Sequence, residues 1–121
     1  MKESILIVDD DKNTCNSIAK ALSDDYTTHI ASNGHEALNI LNENRNIHIV
    51  LSDIMMPEMN GLELLERINF RDNNTIVIMI TGFSDIESAV EAKRNGAYDY
   101  IIKPVDLNRL EVSIKNALEI Q

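Results

Sequence analysis

Aspartates stand just after two short apolar runs of the sequence, and together they have the chemistry of a cation site. Asp9 and Asp10 follow the run at 5–8, and Asp53 lies just beyond the run at 47–51. If these side chains converge, two carboxylates about 4 Å apart repel by roughly 4 kcal/mol at an effective dielectric constant of about 20, so the cluster requires a counter-ion. Ligation by oxygen alone favours Mg²⁺ or Mn²⁺.

A hydroxyl and a lysine stand at equivalent places after two later apolar runs. Thr81 and Gly82 follow the fourth run of the chain, and Lys103 and Pro104 follow the fifth. A hard cation, an ammonium, a hydroxyl and small-residue backbone around one carboxylate suit a phosphoryl group, because its transfer depends on positioning and on neutralising its oxygens. We therefore predict that Asp53 is a nucleophile that forms an acyl phosphate, while Lys103 and Thr81 hold phosphoryl oxygens.

Short apolar runs alternate with helical patterns along the whole chain. The predicted strands are 5–8, 26–30, 47–51, 76–80 and 98–102. Apolar residues between these runs recur at helical spacing, so each strand is followed by a helix. Strict alternation predicts an α/β fold, a doubly wound five-stranded parallel sheet flanked by five helices. Asn33 and Ser84, each with a glutamate three residues on, are predicted to cap two of these helices.

The order of the strands decides whether the chemical groups meet. The second strand contains Thr27, Thr28 and His29 and is polar enough to lie at an edge, so we predict the flavodoxin-like order 2-1-3-4-5. In such a sheet a ligand binds beyond the carboxyl ends of the strands, where the strand order reverses. The aspartates after the first and third strands would then share one crevice, with the threonine and the lysine on its far side.

Length, charge and cysteine content restrict the class of protein. The 121 residues suit one domain, predicted to span 1–121, since no linker or internal repeat marks a boundary. A net charge of −9 has the wrong sign for direct nucleic-acid binding. The single cysteine, Cys15, cannot form an internal disulfide, and the N-terminus is neither a signal peptide nor a spanning segment. We predict a cytoplasmic protein with no membrane role.

Sequence motifs spread over the chain resemble the receiver domain of bacterial two-component response regulators, of the chemotaxis-regulator-like kind. They are I-L-I-V-D-D at 5–10, L-S-D-I-M-M-P-E-M-N-G at 51–61, I-T-G at 80–82 and G-A-Y-D-Y-I-I-K-P at 96–104. The resemblance covers essentially the whole chain. It implies a phosphorylation-activated signalling switch of a phosphorelay, which takes a phosphoryl group from a phosphohistidine donor.

The resemblance also implies which residues bind the metal and accept the phosphoryl group. Asp9 and Asp10 would be an acidic metal pair, and Asp53 would be both a metal ligand and the phosphoacceptor. The backbone carbonyl of Met55 would complete the protein ligands. The cofactor would be Mg²⁺, with Mn²⁺ as a substitute.

The other matching residues would respond to the phosphoryl group. Thr81, with Gly82 beside it, would be the switch hydroxyl, and Lys103 would bind the phosphoryl group. Tyr100 would turn inward when Thr81 moves. The resemblance further implies a cis peptide bond before Pro104.

The same resemblance implies the partners. The donor would be a sensor histidine kinase or a histidine phosphotransferase. The output would run through the surface of the fourth helix, fifth strand and fifth helix to an output domain or a partner protein. The stretch 81–100 looks most like receivers attached to ATP-driven transcription activators. Hydrolysis at Asp53 would be self-dephosphorylation only, so the chain is not predicted to be an enzyme.

Two other functions are compatible with this fold. A Mg²⁺-dependent phosphatase working through an aspartyl phosphate needs a second acid two residues after the nucleophile, where Met55 stands. A pure interaction domain keeps the fold without being phosphorylated, but it usually lacks one of the acids or the lysine. By the resemblance, Met55 and Phe83 are bulky residues at positions that control water access to the phosphoryl group, from which we predict slow self-hydrolysis.

Overall fold

The structure, a computed structural model, describes residues 2–71 and 74–120, apart from the side chain of Phe83. The strands are β1 (Glu3–Val8), β2 (Tyr26–Ala31), β3 (Ile47–Asp53), β4 (Ile76–Thr81) and β5 (Asp99–Ile102). The helices are α1 (Lys12–Leu22), α2 (Gly34–Glu43), α3 (Gly61–Arg71), α4 (Ile86–Arg94) and α5 (Leu107–Glu119), and a short 3₁₀ helix (Phe83–Asp85) precedes α4.

The strands form one parallel sheet in the order β2-β1-β3-β4-β5. Within the described ranges the sheet has five strands and is accompanied by five α-helices, so the predicted fold and strand order are confirmed. The central strands β1, β3 and β4 are buried almost throughout, as parallel strands covered on both faces should be. β2 is an edge strand and leaves Thr27 exposed, as its polar sequence predicted.

The sheet separates two layers of apolar side chains, because successive residues of a strand point to opposite faces. One layer lies under α2, α3 and α4 and includes Leu6 and Val50. The other lies under α1 and α5 and includes Ile5, Leu51 and Ile114. Burial of both faces fixes the strand register, since a slip of one residue would exchange the two sets of side chains.

Side-chain caps fix where four of the helices begin, and at the start of α3 the cap is Asn60, which accepts from the Glu63 N–H over 2.9 Å. Asp11 accepts from the Asn13 N–H over 2.9 Å at the start of α1, and Asn33 accepts from the Glu36 N–H over 2.8 Å at the start of α2. Asp106 caps α5 in the same way. Ser84 does not cap α4, so that prediction is wrong, because Ser84 lies within the 3₁₀ helix that precedes it.

The helices are short. α5 is the longest in the described part of the chain, at 13 residues. None of the helices there has the length and apolar character needed to span a bilayer.

Candidate functional site

Acidic side chains from the ends of β1 and β3 meet at the carboxyl edge of the sheet. β1 and β3 are paired neighbours, which brings one carboxylate oxygen each of Asp9, Asp10 and Asp53 within 4.8 Å of one another. Asp9 is 3% exposed and Asp53 is 8% exposed, whereas Asp10 is exposed. Oxygen donors at this spacing, two of them in buried residues, fit a hard divalent cation such as Mg²⁺ or Mn²⁺.

Lys103, just beyond β5, places the positive charge of its side chain beside these acids. Its Nζ donates to Oδ2 of Asp9 over 3.2 Å and to Oδ2 of Asp53 over 3.4 Å. Burial acts to lower the pKa of Lys103, but the charges of Asp53 and Asp9 outweigh it and raise that pKa. The ammonium therefore stays protonated, and one positive charge faces three carboxylates.

The negative charge of the Asp53 carboxylate is only partly balanced by its surroundings. Burial raises its pKa, and the neighbouring charge of Asp9 raises it further. Lys103 and a hydrogen bond from the Met55 backbone N–H act in the opposite direction without reversing the shift. An additional positive charge near Asp53 would lower this pKa, which is what a bound divalent cation supplies.

The ends of β4 and β5 lie side by side at the same edge. Thr81 is fully buried, and its hydroxyl donates to the Gly82 carbonyl over 3.3 Å. The Lys103 N–H donates to the Thr81 carbonyl over 2.7 Å, which joins the two strand ends. The peptide bond between Lys103 and Pro104 is cis. Tyr100 is half-buried and packs against the core layer under α2, α3 and α4.

The loop between β3 and α3, residues 54–60, borders the acidic cluster. Met55 is 58% exposed. Its backbone N–H contacts the Asp53 carboxylate. Metal ligation by the Met55 carbonyl stays a prediction. The side chain of Phe83, the other residue expected to control water access, lies outside what the structure describes.

The structure adds supporting residues that sequence reasoning missed. The Asp11 N–H donates to Oδ1 of Asp9 over 2.9 Å, so Asp11 holds an acid of the cluster as well as capping α1. A Cβ on Gly61 would lie 2.5 Å from the carbonyl oxygen of Asp53, so only glycine fits where α3 begins. The glycine in the M-N-G sequence was a usable signal for a close backbone approach.

The doubly wound parallel sheet, with acids and a lysine at its carboxyl edge, agrees with what the sequence comparisons show. The sequence matches the family model of the response regulator receiver domain over residues 5–115. The chain therefore belongs to the response regulator receiver domain family.

Particular relatives support the same assignment. The chain is 42% identical over 120 residues to the regulatory protein AtoC of Escherichia coli, covering 97% of this chain and 25% of AtoC. It is 38% identical to the solved receiver domain of NtrX from Brucella abortus, with a TM-score of 0.92, covering 97% of this chain and 99% of that one. The transcriptional regulatory protein ZraR of Klebsiella oxytoca is 38% identical over 94% of this chain. The chain spans about a quarter of the length of the curated relatives, AtoC and ZraR.

Proposed function

We propose that the chain is a phosphorylation-activated switch of a two-component phosphorelay, in which Asp53 accepts a phosphoryl group. The observation that carries the proposal is the cluster of Asp9, Asp10 and Asp53 with Lys103 bonded to both buried acids. Three carboxylates close together with one lysine leave a surplus of negative charge, which opposes folding. A site that receives a cation and a phosphoryl group accounts for this arrangement.

The residues of the cluster divide into metal ligands and groups that act on the phosphoryl group. Asp9, Asp10, Asp53 and the Met55 carbonyl would hold Mg²⁺, or Mn²⁺ in its place. When bound, the ion would neutralise charge on the phosphoryl oxygens. An Asp53 carboxylate oxygen forms the bond to phosphorus while the P–N bond of phosphohistidine breaks. The leaving imidazole nitrogen keeps the electron pair and is free to take up a proton.

Lys103 and Thr81 then hold the product. The phosphoryl group adds about −1.5 to −2 charges and strong acceptor oxygens, which the ammonium of Lys103 and the hydroxyl of Thr81 can bind, with the Gly82 backbone beside them. Thr81 would exchange its present bond to the Gly82 carbonyl for a phosphoryl oxygen. Tyr100 would turn inward as Thr81 moves.

The signal would be a change of the surface formed by α4, β5 and α5. Moving a two-state equilibrium from 1:99 to 99:1 takes about 5.5 kcal/mol of differential stabilisation. Several new charge-assisted hydrogen bonds and the ion are sufficient for that, since hydrogen bonds to charged groups contribute about 1.5–3 kcal/mol each.

The proposed function also defines the phosphoryl donor, the bounds of the domain and its place in the cell. The phosphoryl donor is a sensor histidine kinase or a histidine phosphotransferase, and residues 1–121 act as one receiver domain in the cytoplasm. The response acts on an output domain or a partner protein, which fits relatives that are named regulatory proteins and are about four times longer. The domain does not itself bind nucleic acid or membranes, and it is not a turnover enzyme.

Incubation with acetyl phosphate tests the acceptor. Wild type and Asp53→Ala are incubated with Mg²⁺ or with EDTA, and intact mass is measured before and after hydroxylamine. We expect a single phosphoryl adduct that requires Mg²⁺, is removed by hydroxylamine and does not form on Asp53→Ala. Failure with acetyl phosphate and again with a phosphohistidine donor would contradict the proposal and favour an interaction domain that is never phosphorylated.

A further inference from the structure

The loop of residues 54–60, which carries Met55 beside the acidic cluster, holds an unfavourable backbone conformation. Glu58 has a φ of 68°, in the left-handed region that disfavours residues with a Cβ. In the same loop the Met59 N–H donates to the Pro57 carbonyl over 2.8 Å. Such a conformation persists only where its surroundings fix it. The contacts that hold the loop therefore decide where Met55 lies.

One fixed point lies where the loop joins α3. The Gly61 N–H donates to the Ile54 carbonyl over 2.8 Å. A Cβ on Gly61 would lie 2.5 Å from the carbonyl oxygen of Asp53 and 2.8 Å from Cα of Ile54. These are backbone atoms, so this end of the loop is pinned against β3 itself.

The second fixed point is a contact between Met59 and the first residue of α2. Met59 is 2% exposed and belongs to the core layer under α2, α3 and α4. A Cβ on Gly34 would lie 2.5 Å from Sδ of Met59, 2.9 Å from its Cγ and 3.1 Å from its Cβ. Because the Met59 side chain is enclosed, it has no solvent to move into. A methyl group at position 34 must therefore displace either the helix or Met59, and the Met59 Cβ, which is attached directly to the loop backbone, is among the atoms that must give way.

The start of α2 is held in place by side-chain hydrogen bonds. Asn33 caps the helix by accepting from the Glu36 N–H over 2.8 Å, and the Ser32 hydroxyl donates to the Glu36 carboxylate over 3.2 Å. The loop, in contrast, already holds a disfavoured backbone at Glu58. Displacement at the contact should therefore appear in the loop.

We propose that Gly34 and Met59 form a positioning contact that sets the place of Met55 and, through it, the cation affinity of the acidic cluster. The inference rests on the proposed function, because it assigns positioning residues to that same site. Both residues act through the loop backbone rather than as ligands. The specific requirement at position 34 is the lack of a side chain.

A double-mutant cycle of Gly34→Ala and Met59→Ala tests the contact, with Mg²⁺ alone as the probe and calorimetric titration as the measurement. Each single variant should weaken Mg²⁺ binding by roughly tenfold, the lower end of the effect of residues that orient metal ligands. In the double variant the methyl group at 34 occupies space that Met59 has left. Its dissociation constant should therefore lie closer to wild type than the product of the two single effects.

A second measurement needs no metal. The methyl ¹³C resonances of Met55 and Met59 are recorded in EDTA, where Gly34→Ala should shift both. Ile114→Val is the matched control, because it removes a buried methylene from the opposite core layer. It should lower stability while leaving both resonances and Mg²⁺ affinity as in wild type.

The outcomes separate this inference from the proposed function. Wild type that does not bind Mg²⁺ contradicts the proposed function itself. Wild type that binds, together with Gly34→Ala within twofold of it or with fully multiplicative effects in the cycle, overturns only the positioning contact. If Gly34→Ala does not fold, Met59→Leu, which nearly conserves volume, should still shift the Met55 resonance and weaken Mg²⁺ binding at least twofold. No change in either would equally overturn the contact.

Discussion

Neutralising Asp53 should stabilise the cation-free protein, although it removes a hydrogen bond. The Asp53 carboxylate attracts Lys103 across 3.4 Å and is repelled by Asp9 within 4.8 Å, which at an effective dielectric constant of 20 amounts to about 5 and about 3.5 kcal/mol. Repulsion from the exposed Asp10 adds roughly 1 kcal/mol in a more aqueous dielectric. The Coulomb contributions therefore nearly cancel, and the burial of Asp53 at 8% exposure decides the sign.

We expect Asp53→Asn to raise the free energy of unfolding in EDTA by about 1 kcal/mol, because the desolvation penalty of the Asp53 charge is removed while Lys103 keeps its ion pair with Asp9. For a chain of this length that raises Tm by roughly 4 °C. The effect has a defined pH window. Because the folded pKa of Asp53 is raised, its ionisation removes stability as pH rises from the unfolded pKa through the folded pKa. Below the unfolded pKa the advantage of the variant should vanish.

Urea denaturation in EDTA and in Mg²⁺ is the assay. Mg²⁺ at a hundred times its dissociation constant should stabilise wild type by about 2.7 kcal/mol, which reverses the order of wild type and Asp53→Asn. Asp24→Asn, the same chemical change in the exposed turn after α1, is the control and should stay within about 0.5 kcal/mol of wild type. The reasoning is refuted if Asp53→Asn is less stable than wild type in EDTA, or if it behaves like Asp24→Asn.

Three further predictions concern the surroundings of the site. Met55→Asn should shorten the lifetime of the phospho-form, measured as loss of the phosphoryl mass over time, and an unchanged lifetime would reject the role of Met55 in excluding water. Gly61→Ala should lower the free energy of unfolding by about 1–3 kcal/mol, because its Cβ meets backbone; a denaturation midpoint equal to that of wild type would contradict this. Burial acts to raise the pKa of Asp99, but hydrogen bonds from Ser113, the Tyr100 N–H and Arg109 lower it overall. Ionised Asp99 therefore stabilises the fold above its unfolded pKa, and this stability is lost as pH falls through the folded pKa. Ser113→Ala should therefore cost about 1 kcal/mol at neutral pH and little in acid, and an equal loss at both pH values would reject the coupling.

The fold could be predicted from the sequence because the local apolar patterns agree with the burial of the strands in the sheet. Largely apolar runs at 5–8, 47–51 and 76–80 indicated burial on both faces, and the helices between them left a parallel sheet as the consistent arrangement. Boundaries were less accurate. β1 begins at Glu3, and the Tyr98 N–H bonds to β4 although Tyr98 lies before β5.

The sequence predicted those residues of the candidate site that lie at strand ends. Asp9 and Lys103 directly follow strands and Asp53 ends β3, so the strand order alone brought them together. The contact of Gly34 with Met59 could not be read, because it depends on how a loop packs against a helix. The functional roles of these residues stay predictions.

The position of the phosphoryl group in the chain is the most direct test of Asp53 as the phosphoacceptor. Borohydride reduces an aspartyl phosphate to homoserine, and peptide sequencing by mass spectrometry then identifies the residue that carried it. We expect homoserine at position 53, only after treatment with a phosphoryl donor and Mg²⁺. Homoserine at position 9 or 10, or at no position in a protein whose fold is intact, would contradict the assignment of Asp53 as the phosphoacceptor.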